Sequence, residues 1–137
     1  MLLSLPPLPL IRLQHPTTDS RLQLPPANGY FGCLLVTHAE PDGHAAALIN
    51  ALLDHGCVYF CCWGVACEQW HDGIDDRIVA RGLGAPDEPC IMTTWHYDKP
   101  LEEAVWFLQN AAFPDETFEV DYLWQLELEI CAGPSTN

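Results

Sequence analysis

Two histidines are the residues of this chain best suited to carry out chemistry. His38 and His96 each follow a short apolar run, and Glu40 and Asp98 lie two residues beyond them. An imidazole titrates near neutral pH and acts as a general acid or base when a carboxylate orients it. If the two runs form neighbouring strands, both imidazoles face one cleft. This pattern predicts one candidate function, a small hydrolase or transferase that uses His38 and His96, with Asp98 or Glu40 as the orienting acid.

The segment 38–44 also holds a group of potential metal ligands. His38, Glu40 and His44 carry donor types that bind zinc and similar metals. Their spacing matches no metal-binding signature, and Asp42 has an alternative role as the N-cap of a following helix. We therefore keep these three residues as weak metal candidates and expect no bound metal.

Seven cysteines are present, and their positions favour a structural role. They are residues 33, 57, 61, 62, 67, 90 and 131. Cys61 and Cys62 are neighbours in an apolar run, so in a strand they face opposite sides. Cys67 follows at a spacing that matches neither a redox motif nor a zinc knuckle. The pattern predicts buried free thiols in a reducing compartment, which we expect to be the cytoplasm.

Several motifs that would indicate a cofactor or a nucleophile are missing from the sequence. It contains no Gly-x-Gly-x-x-Gly, no Gly-Lys-Ser/Thr phosphate loop and no Gly-x-Ser-x-Gly elbow. His71 adjoins Asp72, but adjacent helical residues do not face each other, so we expect solvated surface there. No nucleotide, phosphate or other cofactor is predicted.

Three apolar runs, each followed by a loop and a helical pattern, must position the candidate residues. The runs are Gly32–Val36, Cys57–Cys62 and Cys90–Met92. If they are parallel strands, Trp63, Trp95 and His96 gather with His38 along one edge of the sheet. Open α/β sheets bind their ligands at that edge. We therefore predict Trp63, Trp95 and His96 as binding residues.

The arrangement of the runs predicts an α/β fold, a small three-layer sandwich around a mostly parallel four-stranded sheet of Rossmann-like or flavodoxin-like topology. The first and third runs are expected to be central neighbours. Leu126, Leu128 and Ile130 alternate with polar residues, which is typical of a strand with one wet face. We expect this C-terminal strand to lie at the edge of the sheet. Residues 1–29 hold half of the prolines and are predicted to form an arm, with residues 30–137 as a single domain.

The charge of the chain restricts its partners. Nineteen acidic residues against five basic ones give a formal charge of -14. Such a field repels nucleic acid and anionic membranes, and attracts a basic partner. The apolar stretch at the N-terminus is too short and too rich in proline to span a bilayer. Together with five tryptophans that can anchor an interface, the charge favours a non-enzymatic interaction protein, such as an immunity or accessory protein of a bacterial conflict or defence system.

Several segments resemble a small bacterial domain family of unassigned function. They are Val58–Gly64, Met92–His96, Pro100–Ala104 and the pair Trp106-Phe107. The resemblance covers residues 30–130. It implies an α/β domain and a bacterial source, and it transfers no activity and no catalytic residue.

Overall fold

The computed structural model describes residues 8–16, 24, 29–83, 90–114 and 122–131. Over these ranges the chain forms five strands and three helices. The strands are β1 (Leu10–Pro16), β2 (Tyr30–Thr37), β3 (Cys57–Gly64), β4 (Met92–His96) and β5 (Tyr122–Cys131), and the helices are α1 (Ala45–His55), α2 (Cys67–Ala80) and α3 (Leu101–Asn110).

All pairings between these described strands are parallel, and their order is β1-β5-β2-β3-β4. Alternate residues of each strand face opposite sides of the sheet. On one side Leu35 and Phe60 pack with α1 and α2, and on the other Leu34 and Cys61 pack with α3. The predicted class, a three-layer α/β sandwich around a parallel sheet, is confirmed.

The position predicted for the C-terminal strand is wrong. β5 lies between β1 and β2, and β3 separates the two strands expected to be central neighbours. β5 alternates although it lies inside the sheet, because α3 covers only the first part of its polar face. Gln125 is buried there and donates to the carbonyl of Leu108 at 2.6 Å, whereas Glu127 and Glu129 bond to side chains of β1.

The strand at that edge of the sheet is β1, which comes from the proline-rich region. Ile11 and Leu13 pack against the core under α1 and α2. The predicted boundary at residue 30 therefore places one strand of this sheet inside the predicted arm. Prolines stand on either side of residues 10–15 and disfavour regular structure, so the sequence did not predict a strand there.

β4 begins later than the sequence pattern predicts. The expected strand was Cys90–Met92, whereas the observed one is Met92–His96. Thr93 and Thr94 are β-branched and fit a pleated surface although they are not strongly apolar. Trp95 and His96 consequently lie within the strand and face opposite sides of the sheet, instead of following it.

The helix termini agree in part with the sequence. Gly56 ends α1 with φ 109°, and its N–H bonds to the last carbonyls of the helix, as a C-terminal glycine is expected to do. The side chain of Asp42 instead accepts from the backbone N–H of His44 at 2.8 Å, in a turn just before the helix. The N-cap position is His44, without a side-chain bond, so the predicted cap is wrong.

The expected burial of the thiols is confirmed for five of the cysteines. Cys33, Cys57, Cys61, Cys62 and Cys67 are buried free thiols, whereas Cys90 is exposed. Burial raises the pKa of Cys61 to about 12. Burial also raises the pKa of Cys33 and Cys62, so these three thiols are neutral packing elements at physiological pH.

Candidate functional site

The carboxyl edge of the sheet is held in place by close backbone contacts. The Thr37 hydroxyl bonds to the carbonyl of Val65 at 2.8 Å, and Gly64 adopts φ 113°. A Cβ at Gly64 would overlap the carbonyl oxygen of Thr37, so only glycine fits this turn. The indole of Trp63 donates to the carbonyl of Lys99 at 2.6 Å and holds the loop that leads into α3. The ends of three strands are thereby linked to one another.

The structure does not bring His38 and His96 together. Val36 is paired with Trp63, and Trp63 is paired with His96, so β3 lies between the two histidines. Residues at matching positions of β2 and β4 are two strand spacings apart, which is roughly 10 Å. A single cleft that holds both imidazoles is therefore not formed.

His38 instead contacts a residue of the C-terminal strand. Its Nε2 lies 2.7 Å from Oε2 of Glu129, and Gln14 donates to the other carboxylate oxygen at 3.0 Å. These hydrogen bonds, that of His38 first, lower the pKa of Glu129. The expected orienting acids, Glu40 and Asp98, are both exposed. Sequence reasoning missed Glu129 because it lies 91 residues away and became a neighbour only through the strand order.

His96 lies at the rim of a separate pocket on the α3 side of the sheet. The open pocket has a volume of about 380 Å³ and is also lined by Lys99, Glu103, Trp106 and Phe107. The ring of His96 packs against Phe107 with centroids 4.6 Å apart, and partial burial lowers the pKa of this histidine. The pocket thus offers aromatic surface next to one acidic and one basic side chain.

Trp95 lies on the opposite side of β4, facing α2. Its ring packs on His71 with centroids 4.5 Å apart. The Thr93 hydroxyl donates to Asp75 at 2.8 Å, and His71 lies 3.1 Å from Asp72. The expectation of solvated surface at His71 is wrong, because its side chain is only 12% exposed. The docking of β4 against α2 covers it, a contact that the local sequence does not reveal.

These groups form a surface on both sides of β4, which we call the β4 surface. Three large aromatic side chains are its centre: Trp95, Tyr97 and Trp106 are 45%, 77% and 62% exposed. Asp72 and Asp75 lie beside it on α2, and Glu102 and Glu103 on α3. Of the predicted binding residues, Trp95 and His96 belong to this surface. Trp63 lies beneath it as a partly buried support.

The weak metal candidates are not assembled into a ligand set. His38 is bonded to Glu129, whereas Glu40 and His44 are exposed in the loop before α1. Within the ranges that the structure covers, no group of three or more His, Cys, Asp or Glu side chains is placed to hold a metal ion. No described helix combines the length and apolar character needed to cross a bilayer.

Comparison with known proteins gives a match to one family model. No curated protein and no solved structure is significantly similar to the chain. The model of a domain of unknown function matches residues 10–130, which include β1 and nearly all of β5. Because this match extends over most of the chain and over every described strand, the protein belongs to the family described as Domain of unknown function (DUF7684).

Proposed function

We propose that this protein is a non-enzymatic interaction domain that binds a basic protein partner through the β4 surface. The observation that supports this proposal best is the exposure of Trp95, Tyr97 and Trp106 around one edge of the sheet. Tryptophan and tyrosine are enriched among the residues that dominate binding energy at interfaces. Three such side chains exposed on the two sides of one edge strand are typical of an interaction surface.

The charge around these aromatic side chains indicates the chemistry of the partner. Carboxylates of α2 and α3 border the surface, and Lys99 is the only lysine or arginine after Arg81. Lysine and arginine side chains are attracted both to carboxylates and to the faces of aromatic rings. We accordingly propose a basic protein, and not a nucleic acid, as the partner.

The biological setting proposed for this binding is that of an immunity or accessory protein in a bacterial conflict or defence system, acting in the cytoplasm. The acidic charge suits neutralisation of a basic partner, and the buried free thiols suit a reducing compartment. A hydrolase or transferase using His38 and His96 has less support, because β3 separates the two residues.

A peptide selection tests the proposal and requires no candidate partner. Peptides selected from a random displayed library against the intact protein should be enriched in lysine and arginine. Combined replacement of Trp95, Tyr97 and Trp106 by alanine should weaken binding of the selected peptides by at least about tenfold in calorimetry. Peptides without basic enrichment, or binding that the triple variant retains, would contradict the proposal.

The control is a substitution of an equally exposed apolar residue away from this surface. Leu123 lies in β5, which β2 and β3 separate from β4, and its exposure of 43% is close to that of Trp95. Leu123→Ala should leave binding unchanged, and both variants should show wild-type melting in circular dichroism. This pair separates loss of the aromatic surface from loss of the fold.

A further inference from the structure

β4 is an edge strand without the features that usually protect such an edge. No other strand among the described residues pairs with its outer side. Edge strands in natural proteins commonly carry lysine, proline or a bulge, which prevent pairing with another chain. β4 has the sequence Met-Thr-Thr-Trp-His and a regular register with β3. Thr93, Thr94 and Trp95 have high strand propensity, and no side chain of β4 carries a charge unless His96 is protonated.

The opposite edge of the sheet is protected. β1 carries Arg12, which pairs with Glu127, and it ends at Pro16. A charged side chain and a proline at a strand end both hinder addition of another strand. Among the residues that the structure describes, the protection is therefore specific to one edge of the sheet.

The two sides of β4 could both accept side chains of an added strand. Trp95 faces the α2 side with Asp75 nearby, and His96 faces the pocket that contains Glu103 and Trp106. In an extended segment successive side chains point to alternate sides of a sheet. A strand added to β4 would therefore place its side chains alternately beside each of these two groups.

The charges decide between the possible occupants of this edge. A second copy of the chain would bring Asp72, Asp75, Glu102 and Glu103 of both molecules close together, and like charges repel. A basic segment would instead neutralise them. On the basis of the proposed function, we propose that β4 binds an extended basic segment of the partner as an added strand of the sheet, with main-chain hydrogen bonds to β4 and cationic side chains beside the carboxylates of α2 and α3.

The test uses a short peptide of repeated Lys-Lys-Val-Val, which presents lysine on both sides of an added strand, and a counterpart with methylated central backbone nitrogens. The counterpart keeps the side chains but cannot donate hydrogen bonds to β4. We expect the unmethylated peptide to bind the intact protein and to slow amide hydrogen exchange within residues 92–96. The methylated peptide should bind at least about tenfold more weakly, because several main-chain bonds are lost.

A matched pair of variants locates the binding site. Met92→Lys places a charge on β4 and should weaken binding of the unmethylated peptide by about tenfold. Leu123→Lys adds the same charge on β5, at a residue about as exposed as Met92 but separated from β4 by β2 and β3, and should change binding by less than about twofold. Equal effects of the two variants would show that only net charge matters and would overturn the assignment to β4.

The remaining outcomes distinguish this inference from the proposed function. Equal binding of both peptides, lost in the triple aromatic variant, would overturn strand addition and leave the interaction function supported. If neither peptide binds at millimolar concentration, the proposal that a basic strand is added to β4 is overturned. The proposed interaction function is then tested by the peptide selection alone. A dimer of the free protein with slowed exchange at residues 92–96 would overturn it in favour of a second copy.

Discussion

At the scale of single residues, the carboxylate of Glu129 shows how the sheet modifies an ordinary side chain. It accepts hydrogen bonds from His38, just after β2, at 2.7 Å and from Gln14 of β1 at 3.0 Å. Both bonds favour the charged form, and the pKa of Glu129 is lowered. A group with a lowered pKa in the folded state stabilises the fold above its unfolded pKa.

We predict that His38→Ala raises the pKa of Glu129 towards its ordinary value of 4.5. Gln14→Ala should have a smaller effect in the same direction, because His38 makes the larger contribution. Carboxyl chemical shifts followed by NMR during acid titration would measure both changes. Arg12→Ala is the control, since Arg12 bonds to Glu127 instead.

The same contact has a consequence for acid stability. The contribution of Glu129 should be present above about pH 4.5 and disappear as the pH falls through its lowered folded value. In urea titrations, Glu129→Gln should therefore lose stability relative to wild type at neutral pH but not below the folded pKa. A stability difference that stays the same in acid would contradict this account.

At the scale of elements, the turn from β3 to α2 depends on the lack of a side chain at Gly64. Gly64 adopts a positive φ, and the carbonyl oxygen of Thr37 occupies the space that a Cβ would need. The same turn lets the Thr37 hydroxyl bond to Val65. A substitution here must shift β2 against β3, where the candidate binding surface is anchored through Trp63.

We predict that Gly64→Ala lowers the free energy of unfolding by at least about 2 kcal/mol, through backbone strain and a steric clash. Gly82→Ala should cost only about 1 kcal/mol, because Gly82 also has positive φ but faces open space. Gly43→Ala, with neither constraint, should be nearly neutral. Chemical denaturation of the three variants gives the comparison, and equal losses at Gly64 and Gly82 would rule out the clash.

The elements also show which parts of the fold could be predicted from the sequence. α1 can be predicted from the spacing of its apolar residues and from Gly56 at its end, since both signals lie within a few residues of the helix. The position of β5 was not, because a strand with one polar face can lie in the interior when a neighbouring strand supplies hydrogen-bonding partners. The exposed Trp95 and Trp106 followed from no local pattern, since only packing determines whether an aromatic side chain is covered.

At the scale of the whole molecule, the formal charge of -14 on 137 residues acts on stability as well as on partners. Repulsion between like charges opposes the compact state, and salt screens it. The Debye length falls from about 30 Å at 0.01 M salt to about 8 Å at 0.15 M. The strength of this field was readable from composition alone, whereas the strand order and the exposure of the aromatic side chains were not.

We predict that the melting temperature rises as sodium chloride is added from low to physiological concentration, because screening relieves the repulsion. Differential scanning calorimetry would measure the shift. An uncharged solute at equal osmolality controls for general solvent effects and should produce a smaller rise. A melting temperature that does not change with salt would show that repulsion contributes little to the stability of the native state.

The pairing of β1 with β5 determines when the sheet can be completed during synthesis. Arg12 and Glu127 are bonded partners, yet 115 positions separate them in sequence. β1 leaves the ribosome before the other four strands that the structure describes, and among these it pairs only with β5. Contacts between such distant segments form slowly, because the loop between them must first be closed. The sheet can therefore be completed only once β5 has emerged, and a chain that stops before β5 would leave β1 without a neighbour.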